Sequence, residues 1–356
     1  MSAAAATSPA AYFTRDYHAA RDAFLDAARQ AGASLTTYGH PLSTAEQPLA
    51  CDVAAIGPED ANGLLMLVSG VHGVELFVGS ACQTGWLLED GAASLPPRTR
   101  AVLVHAINPW GARHYRRNTE DNVDLGRNFH EFDGPLPDNR EYSALHEALT
   151  YGDDAVIADF IATHGEMAYV NAIMRGQFDH ADGFGFGGRA PVWSNTTLRR
   201  IVAEHGTGAE RVAVLEYHSG LGPYGYGAIV NFQAGEDVAR ARRTFGGWLL
   251  TPNAPGNRGH GHKASGTTTN AYRDAFTGVE LTVGVVEFGT VEPRVSLPVM
   301  LADHRLTIVG GPVAEHEAIR AQNLACHSPH DPDWQQAVWD RSNLAIAQAL
   351  RTLSAA

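Results

Sequence analysis

Cysteines and basic residues are both scarce in this sequence. Its 356 residues include three cysteines, Cys51, Cys82 and Cys326, which are too few and too scattered for a disulfide framework or a cysteine-rich metal site. The 26 lysines and arginines are outnumbered by 39 aspartates and glutamates, and the formal net charge is −13. Because non-specific nucleic-acid binding needs a basic surface, this charge argues against a nucleic-acid partner.

Long apolar segments are missing as well. No apolar stretch reaches the roughly 18 residues of a membrane-spanning helix, and the start, MSAAAATSPAAYFTRDYH, has neither the basic region nor the apolar core of a signal peptide. We therefore predict a soluble, cytoplasmic protein with no membrane partner. We expect residues 1–11 to be disordered, and beyond this alanine-rich start the sequence contains no low-complexity linker or internal repeat.

The composition is that of a protein with a large buried core. Hydrophobic residues make up 44% of the chain and charged residues 18%, so we predict one domain over residues 1–356. Short apolar runs and helical patterns alternate along it. The runs predict strands over 64–69, 101–107, 211–217, 228–232 and 281–288, and the patterns predict helices over 10–31, 74–88, 154–161, 196–205 and 335–353. This alternation predicts an α/β fold with a largely parallel or mixed sheet.

One long segment lacks such patterns. The stretch TPNAPGNRGHGHKASGTTTNAY, residues 251–272, is rich in glycine, asparagine and threonine. We predict a mobile loop there, and loops of this length are often functional. A lid around 256–269 is one interpretation. We expect His260 and His262, within this loop, to be solvated rather than to bind a metal.

Four side chains that could carry chemistry lie at or near the ends of three predicted strands. A His-x-x-Glu pair, His72 and Glu75, follows the first of these strands at a glycine turn. His218 follows the predicted strand 211–217, and Glu287 lies at the end of another. Because ligands of open α/β sheets bind outside the carboxyl ends of the strands, we expect these side chains to converge.

The four residue types suit a hydrolytic metal site. Two imidazoles and one carboxylate fill three positions of a tetrahedral zinc and leave the fourth for water, which becomes a nucleophile near neutral pH. An ionised Glu287 in a buried strand is costly unless it is paired or near a metal. Glu216, two residues before His218, shares its face of an extended strand and could orient it.

Structural explanations are open for the same residues. His72 could simply end a strand, while Glu75 is favoured by a helix N-terminus. His218 could be a buried structural histidine, and Glu216 could form a salt bridge with an arginine. The polar segment 107–129 contains four arginines that could bind a substrate carboxylate bidentately. We expect at least half of them to pair with acidic neighbours instead.

These motifs resemble those of the zinc carboxypeptidase superfamily, which includes carboxypeptidase A and the succinylglutamate desuccinylase/aspartoacylase branch. VHGVE is similar to the family's His-x-x-Glu zinc motif, NPWG to its Asn-Pro-x-Gly turn, and NVDLGRNF to its Val-Asp-x-Asn-Arg-Asn segment. EYHSGLG resembles the segment with the third ligand, and VVEFGT the strand with the general base. The motifs keep the family's order from 64 to 290. YFTRDY, PVWSNTTLR and HSGLGPYG look like an uncharacterised bacterial branch, over nearly the whole length.

The resemblance implies a three-layer fold with a mixed, mostly parallel, twisted sheet and helices on both faces. It also implies one zinc ion per chain on His72, Glu75 and His218. Glu287 would be the base that takes a proton from the zinc-bound water and returns it to the leaving amine. Arg116 or Arg117 would polarise the scissile carbonyl, with the register uncertain by one residue.

The substrate contacts that the resemblance implies are less complete. Arg127 falls on the family's carboxylate-binding arginine, and we predict that Asn128 beside it also contacts the substrate. Gly126 stands where the family usually has asparagine, which removes one expected hydrogen bond to a substrate carboxylate. The family's substrate-capping tyrosine has no clear counterpart, and the candidates are Tyr224, Tyr226 and Tyr272. Of these three tyrosines, we predict that Tyr224 contacts the substrate.

The sequence therefore predicts a zinc-dependent hydrolase that cleaves an amide bond next to a free carboxylate. Its substrate would be a small peptide, as for a carboxypeptidase, or an N-acyl amino acid, as for the desuccinylase/aspartoacylase branch. A non-catalytic metal or ligand binder on the same fold is a third interpretation. The exact substrate, the metal used in the cell and the formation of a homo-oligomer are left open by the sequence.

Overall fold

The computed structural model describes residues 8–254 and 264–354, and in these residues one mixed sheet organises the molecule. The sheet contains eight strands in the order β1-β2-β4-β3-β5-β8-β6-β7. They are β1 (Ser34–Gly39), β2 (Ala50–Ile56), β3 (Gly63–Ser69), β4 (Thr99–His105), β5 (Arg211–Tyr224), β6 (Ala228–Val230), β7 (Leu249–Leu250) and β8 (Glu280–Gly289).

Twelve helices accompany these strands in the described part of the chain. They are α1 (Tyr17–Gln30), α2 (Leu76–Leu88), α3 (Pro109–Arg113), α4 (Arg140–Glu147), α5 (Asp154–His164), α6 (Glu166–Met174), α7 (Trp193–His205), α8 (Glu236–Phe245), α9 (Thr269–Ala275), α10 (Pro293–Val309), α11 (Val313–His327) and α12 (Pro332–Leu353). None of the described helices is both long enough and apolar enough to cross a membrane.

The centre of the sheet is parallel. Strands β4, β3, β5 and β8 run in one direction, whereas β1, β2 and β6 pair in antiparallel fashion toward the edges. Every residue of β3 is buried, as expected for a central parallel strand covered on both faces. The carboxyl ends of β3, β5 and β8 therefore lie side by side, with His218 of β5 directly opposite Glu287 of β8.

Helices cover both faces of this sheet. Leu65 and Leu67 of β3 belong to one apolar core, which α1, α2, α8 and α12 complete. Leu64, Met66 and Val68 point to the other face and belong to a core completed by α7 and α9. A third apolar cluster joins α4 and α6 to α10. The predicted fold class, α/β with a mixed sheet between helical layers, is confirmed.

The amino-terminal region differs from its prediction. The predicted helix over 10–31 is divided into a 3-10 helix, Pro9–Tyr12, and α1. Helix α1 begins at Tyr17 because the Asp16 side chain accepts hydrogen bonds from the backbone of the first turn. Disorder was expected for residues 1–11, but residues 9–11 belong to the 3-10 helix, because Tyr12 is buried and packs against Trp339.

The segment 251–272 also differs from its prediction. Its last residues form the first turn of α9, where Tyr272 is fully buried against the sheet. Residues 255–263 lie outside the described residues, and so do His260 and His262. Strands β1 and β2 were not predicted. Strand β5 extends beyond the predicted end at Tyr217, so His218 lies within the strand rather than after it.

Candidate metal centre

The His-x-x-Glu turn rests directly on the turn of the Asn-Pro-x-Gly motif. After β3, the chain passes through Gly70, at φ +77°, into a 3-10 turn over Gly73–Glu75. A Cβ atom on Gly73 would lie 2.0 Å from the carbonyl carbon of Gly111, at the start of α3. Only glycine fits such a close backbone approach. The two motifs therefore depend on each other, and their contact fixes the direction of His72 and Glu75.

The structure brings the three predicted metal ligands together. One donor atom from each of His72, Glu75 and His218 lies within 4.8 Å of the others, and all three side chains are buried. The Nδ1 atoms of the two histidines are 3.2 Å apart. The Glu75 carboxylate lies 2.9 Å from Nδ1 of His72 and 3.0 Å from Nδ1 of His218. Two imidazole nitrogens and a carboxylate at one point fit the donor set of a catalytic zinc site.

Each histidine has a second carboxylate on its other ring nitrogen. Nε2 of His72 lies 3.2 Å from Asp124, and Nε2 of His218 lies 2.8 Å from Glu216. A histidine whose Nε2–H donates to a carboxylate presents the Nδ1 lone pair to a metal. The predicted orienting role of Glu216 agrees with this contact. Asp124 was not predicted as a partner of His72, although the Val-Asp of its motif was a usable signal.

Glu216 is in turn held by two hydroxyl groups that the sequence did not indicate. The Thr268 hydroxyl donates to Oε1 of Glu216 at 2.9 Å, and the Tyr272 hydroxyl donates to Oε2 at 3.0 Å. Glu216, Thr268 and Tyr272 are all buried. The polar network therefore reaches from the candidate ligand His218 to helix α9.

Neighbouring histidines and arginines determine the protonation of the buried carboxylates Glu75 and Asp124. Burial alone would raise the pKa of Glu75, but His72 and His218 outweigh it and hold this pKa well below its usual range. Burial also opposes ionisation of Asp124, and Arg117, Arg127 and His72 together keep its pKa low. These carboxylates are therefore ionised at neutral pH and available to a cation and to its ligands.

Adjacent arginines of the polar segment point to different partners. Arg117 donates to Asp124 through Nε at 3.1 Å and to Glu75 through Nη1 at 3.3 Å, so it borders the metal centre. Arg116 instead donates to Asp303 of α10 at 3.1 Å. The two candidates for polarising the carbonyl are thereby separated: Arg117 lies at the centre, and Arg116 is engaged in a buried ion pair away from it.

Glu287 lies opposite His218 in the sheet and is partly exposed. Burial raises the pKa of its carboxyl group, and the negative charge of Glu75 raises it further, against the opposing effect of His218, His72 and Arg117. A raised pKa suits a carboxylate that must both accept and return a proton. The Glu287 side chain thus lies on the same face of the sheet as that of His218, its partner in the register.

Arg127 and Asn128 are both engaged within the protein. Arg127 is buried and donates to the carbonyl oxygens of Gly126 at 2.7 Å and Met174 at 2.6 Å. The Asn128 amide donates to the carbonyls of Gly187 and Ala190, and its oxygen accepts from the backbone of Val192. Contrary to the predicted substrate contact, Asn128 has a structural role, because its amide group is saturated. Arg127 keeps unused N–H groups.

Gly126 packs closely against the first candidate ligand and its carboxylate partner. A Cβ atom on Gly126 would lie 3.2 Å from both Nε2 of His72 and Oδ1 of Asp124. That contact is tighter than ordinary van der Waals separation, and a larger side chain would crowd the His72–Asp124 pair. The small residue therefore permits this arrangement of the first ligand.

The candidate capping tyrosines are placed apart. Tyr224 is 52% exposed, and its hydroxyl donates to Asp331 at 2.7 Å, near the start of α12. Tyr226 packs against Trp248 and the Arg341 guanidinium. Tyr272 is buried and bound to Glu216, so it supports a ligand instead of capping a substrate. Of the three, Tyr224 and Tyr226 are accessible from solvent.

Comparisons with known proteins complete the description of the site. A family model described as "Protein of unknown function (DUF2817)" matches residues 13–341. A comparison with curated proteins finds no match.

Solved structures similar to this chain include a carboxypeptidase A from Helicoverpa armigera, at 13% identity and TM-score 0.46 over 88% of this chain and 74% of that one. An aspartoacylase family protein from Mesorhizobium loti is 14% identical, with TM-score 0.39, over 81% and 67%. A succinylglutamate desuccinylase from Chromobacterium violaceum is 14% identical, with TM-score 0.37, over 86% and 74%.

Proposed function

We propose that this chain, which belongs to the DUF2817 family by a match that spans every residue of the metal centre, is a zinc-dependent amide hydrolase. The observation that carries the proposal is the convergence of His72, Glu75 and His218, with Glu287 in register beside them. Three protein ligands with a nearby carboxylate are the composition of a hydrolytic zinc site, whereas structural zinc sites use four ligands.

His72, Glu75 and His218 would hold the zinc through two Nδ1 atoms and one carboxylate. When bound, the metal would supply an acidified water and a Lewis acid for the carbonyl. Glu287 accepts the proton of the attacking water and delivers it to the leaving nitrogen. Arg117 uses Nε and Nη1 for Asp124 and Glu75, and its Nη2 donors stabilise the negative charge that develops on the carbonyl oxygen.

The substrate class is proposed as a small peptide or an N-acyl amino acid. Arg127 would bind the substrate carboxylate with the N–H groups that Gly126 and Met174 leave unused. Both backbone contacts of Arg127 compete with a ligand for its guanidinium, and Gly126 adds no side-chain amide to this anchor. A pair of substrates that differ only in a terminal carboxylate or carboxamide measures the contribution of Arg127 directly.

The metal content of the purified protein tests the site. We expect about one zinc per chain, and we expect His72→Ala to lose it. A wild-type protein that takes up no zinc at neutral pH would end the hydrolase proposal.

The cytoplasmic location and the homo-oligomer considered from the sequence stay predictions.

The Glu287→Gln variant tests the mechanism. Glutamine keeps the shape of the side chain but cannot accept the proton, so we expect normal zinc content and a rate about 100- to 10,000-fold lower on any amide that the wild type cleaves. A near-normal rate in this variant would exclude Glu287 as the base. A zinc-loaded wild type that is inert on dipeptides, N-acyl amino acids and esters would favour a non-catalytic binder.

A further inference from the structure

Helix α9 and the residue before it contribute two of the side chains that hold the buried Glu216 carboxylate. Thr268 precedes the helix and Tyr272 lies within it, and their hydroxyls occupy both carboxylate oxygens. His218 donates to Oε1 of the same carboxylate through Nε2. All the side chains in this chain of contacts are buried, so water does not replace a bond that is lost.

The Thr268 hydroxyl binds Glu216 instead of capping helix α9. Thr268 occupies the N-cap position of α9, where a threonine hydroxyl usually accepts a hydrogen bond from the first turn of the helix. Its side chain makes no such capping bond, and the hydroxyl donates to Glu216 instead. A short helix without its cap is stabilised chiefly by the contacts it makes with the rest of the protein.

The same segment also contacts the part of the chain that supports His72. The Gly266 carbonyl accepts a hydrogen bond from the backbone of Phe129 at 2.9 Å, and the Asn270 amide donates to the Phe129 carbonyl at 2.8 Å. Phe129 lies in the segment that carries Asp124, the partner of His72. Residues 266–272 thus connect the supports of both candidate histidine ligands.

We propose that Thr268 and Tyr272 are positioning residues of the metal centre, and that metal binding is coupled to the docking of helix α9. By fixing Glu216, they hold the His218 ring with Nδ1 directed at the metal. Because coupling between two equilibria is reciprocal, a metal that requires this His218 orientation also stabilises the docked helix. The inference rests on the proposed function only in assigning zinc to His72, Glu75 and His218.

Zinc affinity, measured by competition with a chromophoric chelator, tests the positioning role independently of hydrolysis. Loss of a carboxylate partner of a metal-bound histidine typically weakens affinity 10- to 100-fold, and we expect that range for Glu216→Gln. Thr268→Val and Tyr272→Phe act one bond further away, and we expect each to raise the zinc Kd about 3- to 10-fold.

Two variants serve as matched controls. Thr269 is the buried neighbour of Thr268, but its hydroxyl has no hydrogen-bond partner among the described residues, so Thr269→Val should leave the zinc Kd unchanged. Tyr17 is fully buried, and its hydroxyl bonds to the backbone of Ala50 in β2 and to none of the described groups around the metal centre. Tyr17→Phe should lower thermal stability without changing the zinc Kd.

A double-mutant cycle decides whether Tyr272 acts through Glu216. If it does, Tyr272→Phe has little further effect on the zinc Kd once Glu216→Gln is present. Full additivity of the two substitutions would overturn the positioning role, and so would an unchanged Kd in both Thr268→Val and Tyr272→Phe.

Hydrogen exchange tests the coupling to helix α9. We expect zinc to slow exchange of the 269–275 amides in the wild type, and to slow it less in Tyr272→Phe. Equal exchange with and without zinc would overturn the coupling. The proposed function would instead be overturned by a wild type that binds no zinc or by an active Glu287→Gln variant, and neither result is read from the differences in Kd between these variants.

Discussion

At the scale of single residues, the candidate ligands lie at strand ends, and most of the side chains that support them come from distant segments. His72, Glu75, His218 and Glu287 could be recognised because each is costly or unusual at the end of an apolar strand. Asp124, Thr268 and Tyr272 are ordinary residues in their own segments. Their role arises only when distant segments meet, and of the three only Asp124 carried a local signal, the Val-Asp of its motif.

Neighbouring arginines illustrate the same limit. Arg116 and Arg117 are equivalent in sequence, and the resemblance left the register open by one. The chain between α3 and Asp124 is irregular, so adjacent side chains follow no fixed periodicity, and each takes the partner that tertiary packing offers. Arg117 contacts Asp124 and Glu75, whereas Arg116 contacts Asp303.

Gly126→Asn introduces the asparagine of the motif that NVDLGRNF resembles, and it should weaken the metal centre. A side chain at this position crowds His72 and Asp124, because its Cβ atom would already lie 3.2 Å from an atom of each. We expect the zinc Kd to rise about tenfold, as is typical when a metal-bound histidine loses its carboxylate partner. Gly134→Ala is the control, because its Cβ would meet only one atom at 3.9 Å. Unchanged zinc affinity in Gly126→Asn would show that the pocket relaxes around the new side chain.

At the scale of elements, the central strands could be predicted and the edges could not. Strands β3, β4 and β8 are continuous apolar runs that mark buried parallel strands. Strand β1 is mostly exposed, with polar residues on both faces, and it is defined by pairing with β2. Helix α9 lies in a threonine-rich segment of low helix propensity, so packing of Ala271 and Tyr272 against the sheet fixes it.

The contact between the His-x-x-Glu turn and α3 makes Gly73 the most constrained residue of this pair of elements. In Gly73→Ala, the methyl group would overlap the Gly111 backbone, which cannot move as a flexible side chain could. We expect a lower midpoint of thermal unfolding and zinc content well below one per chain, since the turn that carries both ligands must shift. Gly39→Ala, where a Cβ meets nothing within 4 Å, should match the wild type in both measurements.

At the scale of the whole molecule, the two-faced sheet explains why the ligands converge. Parallel strands place their carboxyl ends at one edge, and motifs separated by more than a hundred residues therefore meet there. The alternation of strands and helices was enough to predict this architecture. The third apolar cluster joins α4 and α6 to α10, and it was not predictable. Helix α10 follows α4 and α6 in the sequence only after the last strand of the sheet, so no local pattern links these helices.

Buried neutral histidines should make the stability of the whole molecule depend on pH. Burial lowers the pKa of His105 to about 4 from an ordinary value of 6.5, while Asp52 raises it and Arg21 lowers it further, both by smaller amounts. Between these values the unfolded chain binds a proton that the folded chain excludes. The free energy of unfolding therefore falls as pH drops from 6.5 to 4, by up to about 1.4 kcal/mol per pH unit for one such group.

His105→Gln removes this group, and its amide can replace the contact with the Ser80 hydroxyl. We expect the variant to be less stable at pH 7, because its side chain does not stack on Phe24 as the imidazole does. Its unfolding free energy should nevertheless decline less steeply between pH 6.5 and 4 than that of the wild type. Urea unfolding with a chelator present, which removes the contribution of bound metal, measures both slopes. Parallel slopes would mean that His105 takes up its proton in the folded protein, which would require the core around Phe24 to admit a charge.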